Sequence, residues 1–434
     1  MSAGGDAAVD EGATADPWVG VPDPAGVPGD GRQVLQPPDR RGRLVFCPAR
    51  FGDGVVGGAE LVMATQARML AARGWDVEVL TTCATDHFSW DNVLPPGTTD
   101  VDGLTVTRFP VVVDTPGVQR AEAEQVLLSG GHLSLDAQQR WMDDGPRVPG
   151  LYHHLLQHGD DYRAVVLGPY PFWPAYACAQ VLPERAVLWT CLHDEPTARL
   201  ELFDPVLSGV AGLFLQTPPE HALLHEVQES PARHAVVGCG VEVPEAYDPD
   251  GFRLRHGLGD APFLLYAGRR EGAKGWERLL DAFAAVVTSR GLPFHLVTFG
   301  AGPVVAPPGL EDRVHDLGFV DDRDRDDAYA AATAYVQPSR YEAFSRTVME
   351  SWLAGTPVLA DGGGEVVAEH VRVSGAGLLY DDADELAECL SLLAEHPDVG
   401  ARLAAPGRDY VLERYRWEPV LDRVERCLGA WTRP

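Results

Sequence analysis

Apolar residues fall along this chain in short continuous runs separated by amphipathic stretches, beginning just after Arg43. Leu44-Val45-Phe46-Cys47 is a run of the kind that predicts a strand buried on both faces. Helical spacing follows from about Ala59 to Arg73, Gly74 offers a C-cap, and 76–80 predicts the next strand. Further strands are expected at 106–113, 164–167, 186–190, 212–216 and 235–238, most of them separated by helical stretches. Between 85 and 147 the pattern is less regular, and loops over the domain face are expected there.

A second alternating series opens after Pro262. Strands are predicted at 263–267, 294–299, 317–320, 334–337, 357–360 and 377–380, with helices over 275–290, from about 324, over 347–354 and over 384–396. Repeated strand–helix alternation predicts an α/β fold with parallel sheets covered by helices on both faces. Two such series, joined through a stretch with Pro, Asp and Gly near 243–259, predict two doubly wound, Rossmann-like lobes facing a central cleft. The expected organisation is a tail over 1–40, an N-terminal lobe over 41–245, a C-terminal lobe over 246–414, and a final helical segment over 415–434.

Composition narrows the partners. Residues 1–40 are rich in Gly, Pro, Ala and Asp, with seven acids against Arg32 and Arg40, which predicts a disordered acidic tail. The net charge of −29 excludes general nucleic-acid binding and strong docking on anionic lipid. An anionic ligand would need a site built locally from a few cations and backbone amides. Seven scattered cysteines without a Cys-x-x-Cys pair read as small buried side chains in a reducing compartment. With no signal-peptide pattern and no apolar run of membrane-spanning length, a cytoplasmic location with at most weak peripheral membrane contact is expected.

Four segments could carry chemistry. Gly268-Arg269-Arg270-Glu271-Gly272-Ala273-Lys274-Gly275 follows a strand and opens a helix, so two cations flank free helix amides, a match for a diphosphate. Glu342 and Glu350 lie eight residues apart across a second strand–loop–helix junction. A loop carboxylate there can accept from sugar hydroxyls and a helical one can bind a ribose diol, while the amides at Ser345–Thr347 offer an anion seat. Gly57-Gly58-Ala59-Glu60 after the first strand allows close backbone approach, though it is not the full dinucleotide fingerprint. His193, in Thr190-Cys191-Leu192-His193-Asp194-Glu195-Pro196, follows a first-lobe strand and faces the cleft. The Asp-rich run 321–327 reads as a helix cap rather than a metal site, and His153, His154 and His158 read as surface residues. No Gly-x-Ser-x-Gly elbow or Walker lysine motif occurs.

These segments occur in the order found in the retaining glycosyltransferases of family 4, and the chain resembles that family over about 43–430. Leu317-Gly318-Phe319-Val320, Gly355-Thr356-Pro357-Val358 and Gly375-Ala376-Gly377-Leu378-Leu379 add to the match. The resemblance implies the GT-B fold and transfer of a sugar from a UDP-, GDP- or ADP-sugar to an acceptor hydroxyl on a glycan, lipid-linked or small molecule, with retention and without a metal or other cofactor. It implies that Arg269 and Lys274 hold the diphosphate, Glu350 the ribose and Glu342 the transferred sugar. Backbone at Phe319 and Val320 would meet the base, Gly57, Gly58 and His193 would approach the sugar or phosphate, and Phe344, Ser345, Arg346 and Thr347 would line the nucleotide-sugar site. The last helix would cross back to the first lobe. Where the family carries Gly-Phe-Gly after the first Glu, this chain has Ala343-Phe344-Ser345, which is expected to narrow the space beside the sugar. An epimerase or hydrolase of nucleotide sugars, or a non-catalytic nucleotide-sugar-binding partner, would share the same architecture.

Overall fold

The computed structural model describes residues 42–432 apart from 53, 56 and 114–116; the predicted tail over 1–40 lies outside them. The first sheet has eight strands, in the spatial order Gly97–Val101, Leu104–Phe109, Asp76–Thr82, Arg43–Pro48, Tyr162–Gly168, Ala186–Trp189, Gly212–Leu215 and His234–Val236. All neighbours are parallel except the hairpin formed by the first two. The second sheet is wholly parallel and runs Val314–Asp316, His295–Phe299, Phe263–Ala267, Ala334–Gln337, Val358–Asp361 and Gly377–Tyr380. In chain order within the lobe this is 3-2-1-4-5-6, the doubly wound arrangement whose direction of progression reverses between the first and fourth strands. Side chains of the central strands are buried on both faces, as their uninterrupted apolar runs require.

The C-terminal helix Trp417–Trp431 returns to the first lobe. Its Trp431 ring lies 5.6 Å from Phe214, and Glu425 accepts from Arg73 and from the Trp75 indole, each at 2.8 Å. All seven cysteines are free and five are buried. Among the described residues no helix is long and apolar enough to cross a membrane.

The stretch 85–147 carries loops, as expected, and also holds the hairpin 97–109 and the helices Val118–Leu128 and Leu135–Asp143. Two expectations need correction. The strand expected at 106–113 ends at Phe109, because Pro110 has no NH for the ladder. The strand expected at 317–320 lies three residues earlier, at Val314–Asp316, where it pairs with Leu296–Thr298. Gly318 breaks the run with φ +65° and leaves Phe319 70% exposed in a loop.

Candidate active site

In an open parallel sheet, ligands bind beyond the carboxyl ends of the two strands at the switch point. In the second lobe those strands are Phe263–Ala267 and Ala334–Gln337. The loops that leave them are 268–275 and 338–345, the two segments singled out by sequence. They touch. Gly275 has φ +75°, and a Cβ there would stand 2.4 Å from the Pro338 carbonyl oxygen, so only glycine lets the loops meet this closely. Arg278 donates to that same oxygen at 2.8 Å.

The close approach delivers Lys274 to Glu342, with Nζ donating to Oε1 at 2.7 Å. Burial alone would push the Glu342 carboxyl up, but Lys274, then His193 and Ser339, outweigh it and hold the pKa below the ordinary carboxylate value. His193 is half-buried in the loop after Ala186–Trp189 and is electrostatically linked to both Lys274 and Glu342, so this first-lobe residue faces the second-lobe pair across the cleft. Burial pulls its pKa down, against Glu195, and the imidazole is neutral at pH 7. Arg269 donates from Nη1 to His87 Nε2 at 3.1 Å, across to the first lobe, and also pairs with Glu271 at 3.2 Å.

Helix Arg346–Leu353 begins at Ser345, which makes no side-chain cap, so the first amides of this helix are available to an anion. Ser345 is a non-glycine residue with φ 67°, a conformation that costs on the order of 1–2 kcal/mol for an L side chain. Its hydroxyl accepts from Gln337 at 2.8 Å and lies 3.3 Å from the Thr347 hydroxyl, which accepts from Tyr335 at 2.8 Å. These bonds hold the buried Ser345 hydroxyl against Gln337 and Thr347.

The expectation for Phe344 is corrected. Its ring is buried against Tyr415, 4.9 Å between centroids, and His370, 5.5 Å, so the side chain anchors the loop from below and does not line the crevice. Glu350 meets the partners that its burial demands: the Tyr329 hydroxyl donates to it at 3.1 Å and Arg346 stands 3.7 Å away. Arg346 also binds Glu242 at 2.8 Å, and Trp417 donates to the other oxygen of Glu242 at 3.2 Å. Phe319 and Val320 lie on the loop after Val314–Asp316, with Val320 packed partly on the core.

The first-lobe junction is built differently. Gly57 has extended backbone, and a Cβ on it would meet Glu60 Oε2 at 2.3 Å and Arg50 Nη2 at 2.9 Å. Arg50 and Glu60 form a buried ion pair at 2.6 Å beside the start of helix Gly58–Ala72. Gly57 thus makes room for an internal salt bridge, while Gly58 is exposed.

Several residues at the cleft were missed by sequence reasoning. Glu220, buried on helix Pro218–Val227, accepts from the Thr190 hydroxyl at 2.6 Å, the Leu192 amide at 2.7 Å and the Gln216 amide at 2.5 Å, and so holds the His193 loop from behind. Burial pushes its carboxyl up to about 7 against the pull of those donors. Thr217 donates to the Ala343 carbonyl at 3.1 Å, tying this helix to the Glu342 loop. His87 is the other omission; it lies 182 positions from Arg269 and no local motif marks it.

A sequence profile described as "Glycosyl transferases group 1" matches residues 261–396, the part of the chain that carries both second-lobe loops. A D-inositol 3-phosphate glycosyltransferase from Saccharomonospora viridis is 28% identical over 396 residues, covering 85% of this chain and 88% of the relative. Among solved structures, sucrose-phosphate synthase from Thermosynechococcus elongatus superposes with a TM-score of 0.67 at 19% identity, covering 88% of this chain and 97% of that one. HepE from Anabaena, solved in complex with UDP and glucose, superposes with a TM-score of 0.64 at 16% identity, covering 90% and 100%. The crevice, the two loops that frame it and these likenesses agree: the chain has the GT-B fold, and its residues 261–396 are similar to the group 1 glycosyltransferases.

Proposed function

We propose that this glycosyltransferase moves a sugar, with retention of configuration, from a nucleoside-diphosphate sugar to an acceptor hydroxyl, in the manner of family 4. The observation that carries the reading is the Lys274–Glu342 pair, set at the second-lobe switch point and opposed by His193. The diphosphate would sit on Arg269, Lys274 and the first amides of helix Arg346–Leu353, with the ribose on Glu350 and the base near Phe319 and Val320. Glu342, held ionised, would accept from hydroxyls of the transferred sugar, and His193 would approach the same sugar from the first lobe. That HepE was solved with UDP and glucose favours a nucleotide-sugar donor.

In the reaction the bond between the anomeric carbon and the diphosphate oxygen breaks while the acceptor oxygen bonds to that carbon from the same face. The acceptor proton passes to the departing diphosphate. Arg269, Lys274 and the helix amides stabilise the charge that grows there, a role that elsewhere falls to a metal, so none is required in this proposal. On the first-lobe side a cavity of about 610 Å³ adjoins the His193 loop, bounded in part by Gln138, His132, Glu195 and Arg199. It is the proposed acceptor site, for a carbohydrate, a lipid-linked or a small-molecule hydroxyl. The proposed location is cytoplasmic.

Product analysis with UDP-, GDP- and ADP-sugars, with and without acceptors, tests the reading. Transfer product with the donor's anomeric configuration is expected. Free sugar or an epimer as the main product would replace it with a hydrolase or epimerase, and donor binding without turnover would replace it with a binding partner.

A further inference from the structure

Away from the cleft, three histidines converge between helix Pro218–Val227 and the edge strand His234–Val236. His221 and His225 stand one turn apart on one face of the helix, and His234 opens the strand. Their ring centroids are 4.7, 5.1 and 5.1 Å apart, and one ring nitrogen from each lies within 4.8 Å of the others. We infer that His221, His225 and His234 form a binding site for a divalent transition-metal ion of the zinc class.

Three features carry this beyond proximity. His234 Nδ1 lies 2.8 Å from the Ala232 carbonyl, which can only accept, so the proton is on Nδ1 and Nε2 presents its lone pair. That backbone contact is the kind of outer bond that fixes the tautomer and orientation of a ligating imidazole. His221 Nε2 is buried with no hydrogen-bond partner, a costly condition that a metal would relieve. His225 is exposed on the helix and free to swing. Tetrahedral zinc with Zn–N of about 2.0–2.1 Å holds its nitrogens ~3.3 Å apart, so a rotamer adjustment of His225 closes the triangle. An all-imidazole set suits zinc, copper or nickel and discriminates against magnesium and calcium.

The site would pin the helix to the sheet edge. That helix begins at Thr217 and Glu220, which hold the Ala343 carbonyl and the His193 loop, so occupancy would steady the cleft wall without touching substrate. The inference rests on these three side chains and is independent of the donor and acceptor proposed above.

The test uses the full chain without an affinity tag, stripped with chelator, titrated with Zn2+ by calorimetry and with Co2+ by visible absorption. One ion per chain is expected, with a rise in melting temperature and a cobalt band at the intensity of a low-coordinate site. His225→Ala, at an exposed position, should fold normally and lose about 100-fold in affinity, and His234→Ala should lose a similar amount. No saturable binding by the stripped parent, only millimolar binding, or unchanged affinity in both variants would overturn the inference.

Discussion

The two strand–loop–helix junctions that face each other across the cleft use the same local design to opposite ends. At Gly57–Gly58 the space beside the helix start is filled from within by the Arg50–Glu60 ion pair. At Ser345–Arg346 the helix start has no side-chain cap, and the nearby charges, Lys274 and Glu342, arrive from loops that border the crevice. The first junction neutralises itself, while the second leaves its first helix amides without a side-chain cap. A glycine pair after a strand is thus an ambiguous signal, and the residues that occupy the space beside it decide its meaning.

The comparison breaks most sharply at its charged pairs. Arg50→Ala leaves a buried carboxylate unpaired and should cost about 3–5 kcal/mol of stability, whereas a paired Arg50→Met/Glu60→Leu replacement should recover most of it; denaturant unfolding of both variants measures the difference. Glu342→Ala should reduce transfer about 1,000-fold while leaving nucleoside-diphosphate affinity nearly unchanged, as expected for a group that meets the sugar. Steady-state kinetics beside calorimetry checks this, and equal activity would remove Glu342 from its assigned role.

Smaller effects refine the second junction. His370, buried behind Phe344, has its pKa pulled down by burial to about 3. The unfolded chain takes up that proton near the ordinary value of ~6.5. The native state therefore binds fewer protons, and stability is greatest above pH 6.5 and falls by about 1.4 kcal/mol per unit as pH drops from there toward 3. His370→Gln should flatten this part of the unfolding profile. At Ser345 two influences oppose each other. Ser345→Ala keeps the left-handed backbone and loses the bond from Gln337, for a cost of about 1 kcal/mol. Ser345→Gly loses the same bond but relieves the backbone and should be within about 1 kcal/mol of the parent. Thermal unfolding that ranks glycine below alanine would contradict the account of this turn.

The parts legible in sequence were those made by contiguous residues. Long apolar runs such as Phe263–Ala267 predicted central strands, and the loops after two of them predicted Lys274 and Glu342, which the fold brings together. Elements set by tertiary contact were not legible. Gly97–Val101 is a mostly exposed edge strand with little apolar pattern, and Val118–Leu128 buries only Leu127 among its helical residues. The side on which Phe344 packs depends on Tyr415, which belongs to the chain crossing back toward the first lobe. His87 and Glu220 act on the cleft from positions with no motif of their own, and only the fold places them there. The three-histidine cluster is of the same kind: the sequence drew attention to His153, His154 and His158, while His234 joins His221 and His225 through the sheet.

The most direct measurement is calorimetric titration of UDP and GDP into the parent chain, Lys274→Ala and Glu342→Ala. If the second junction grips a diphosphate, Lys274→Ala should weaken the preferred nucleotide by about 10- to 100-fold, the loss of one charge-assisted bond, while Glu342→Ala should bind it almost as the parent does. Unchanged affinity in Lys274→Ala would contradict the account.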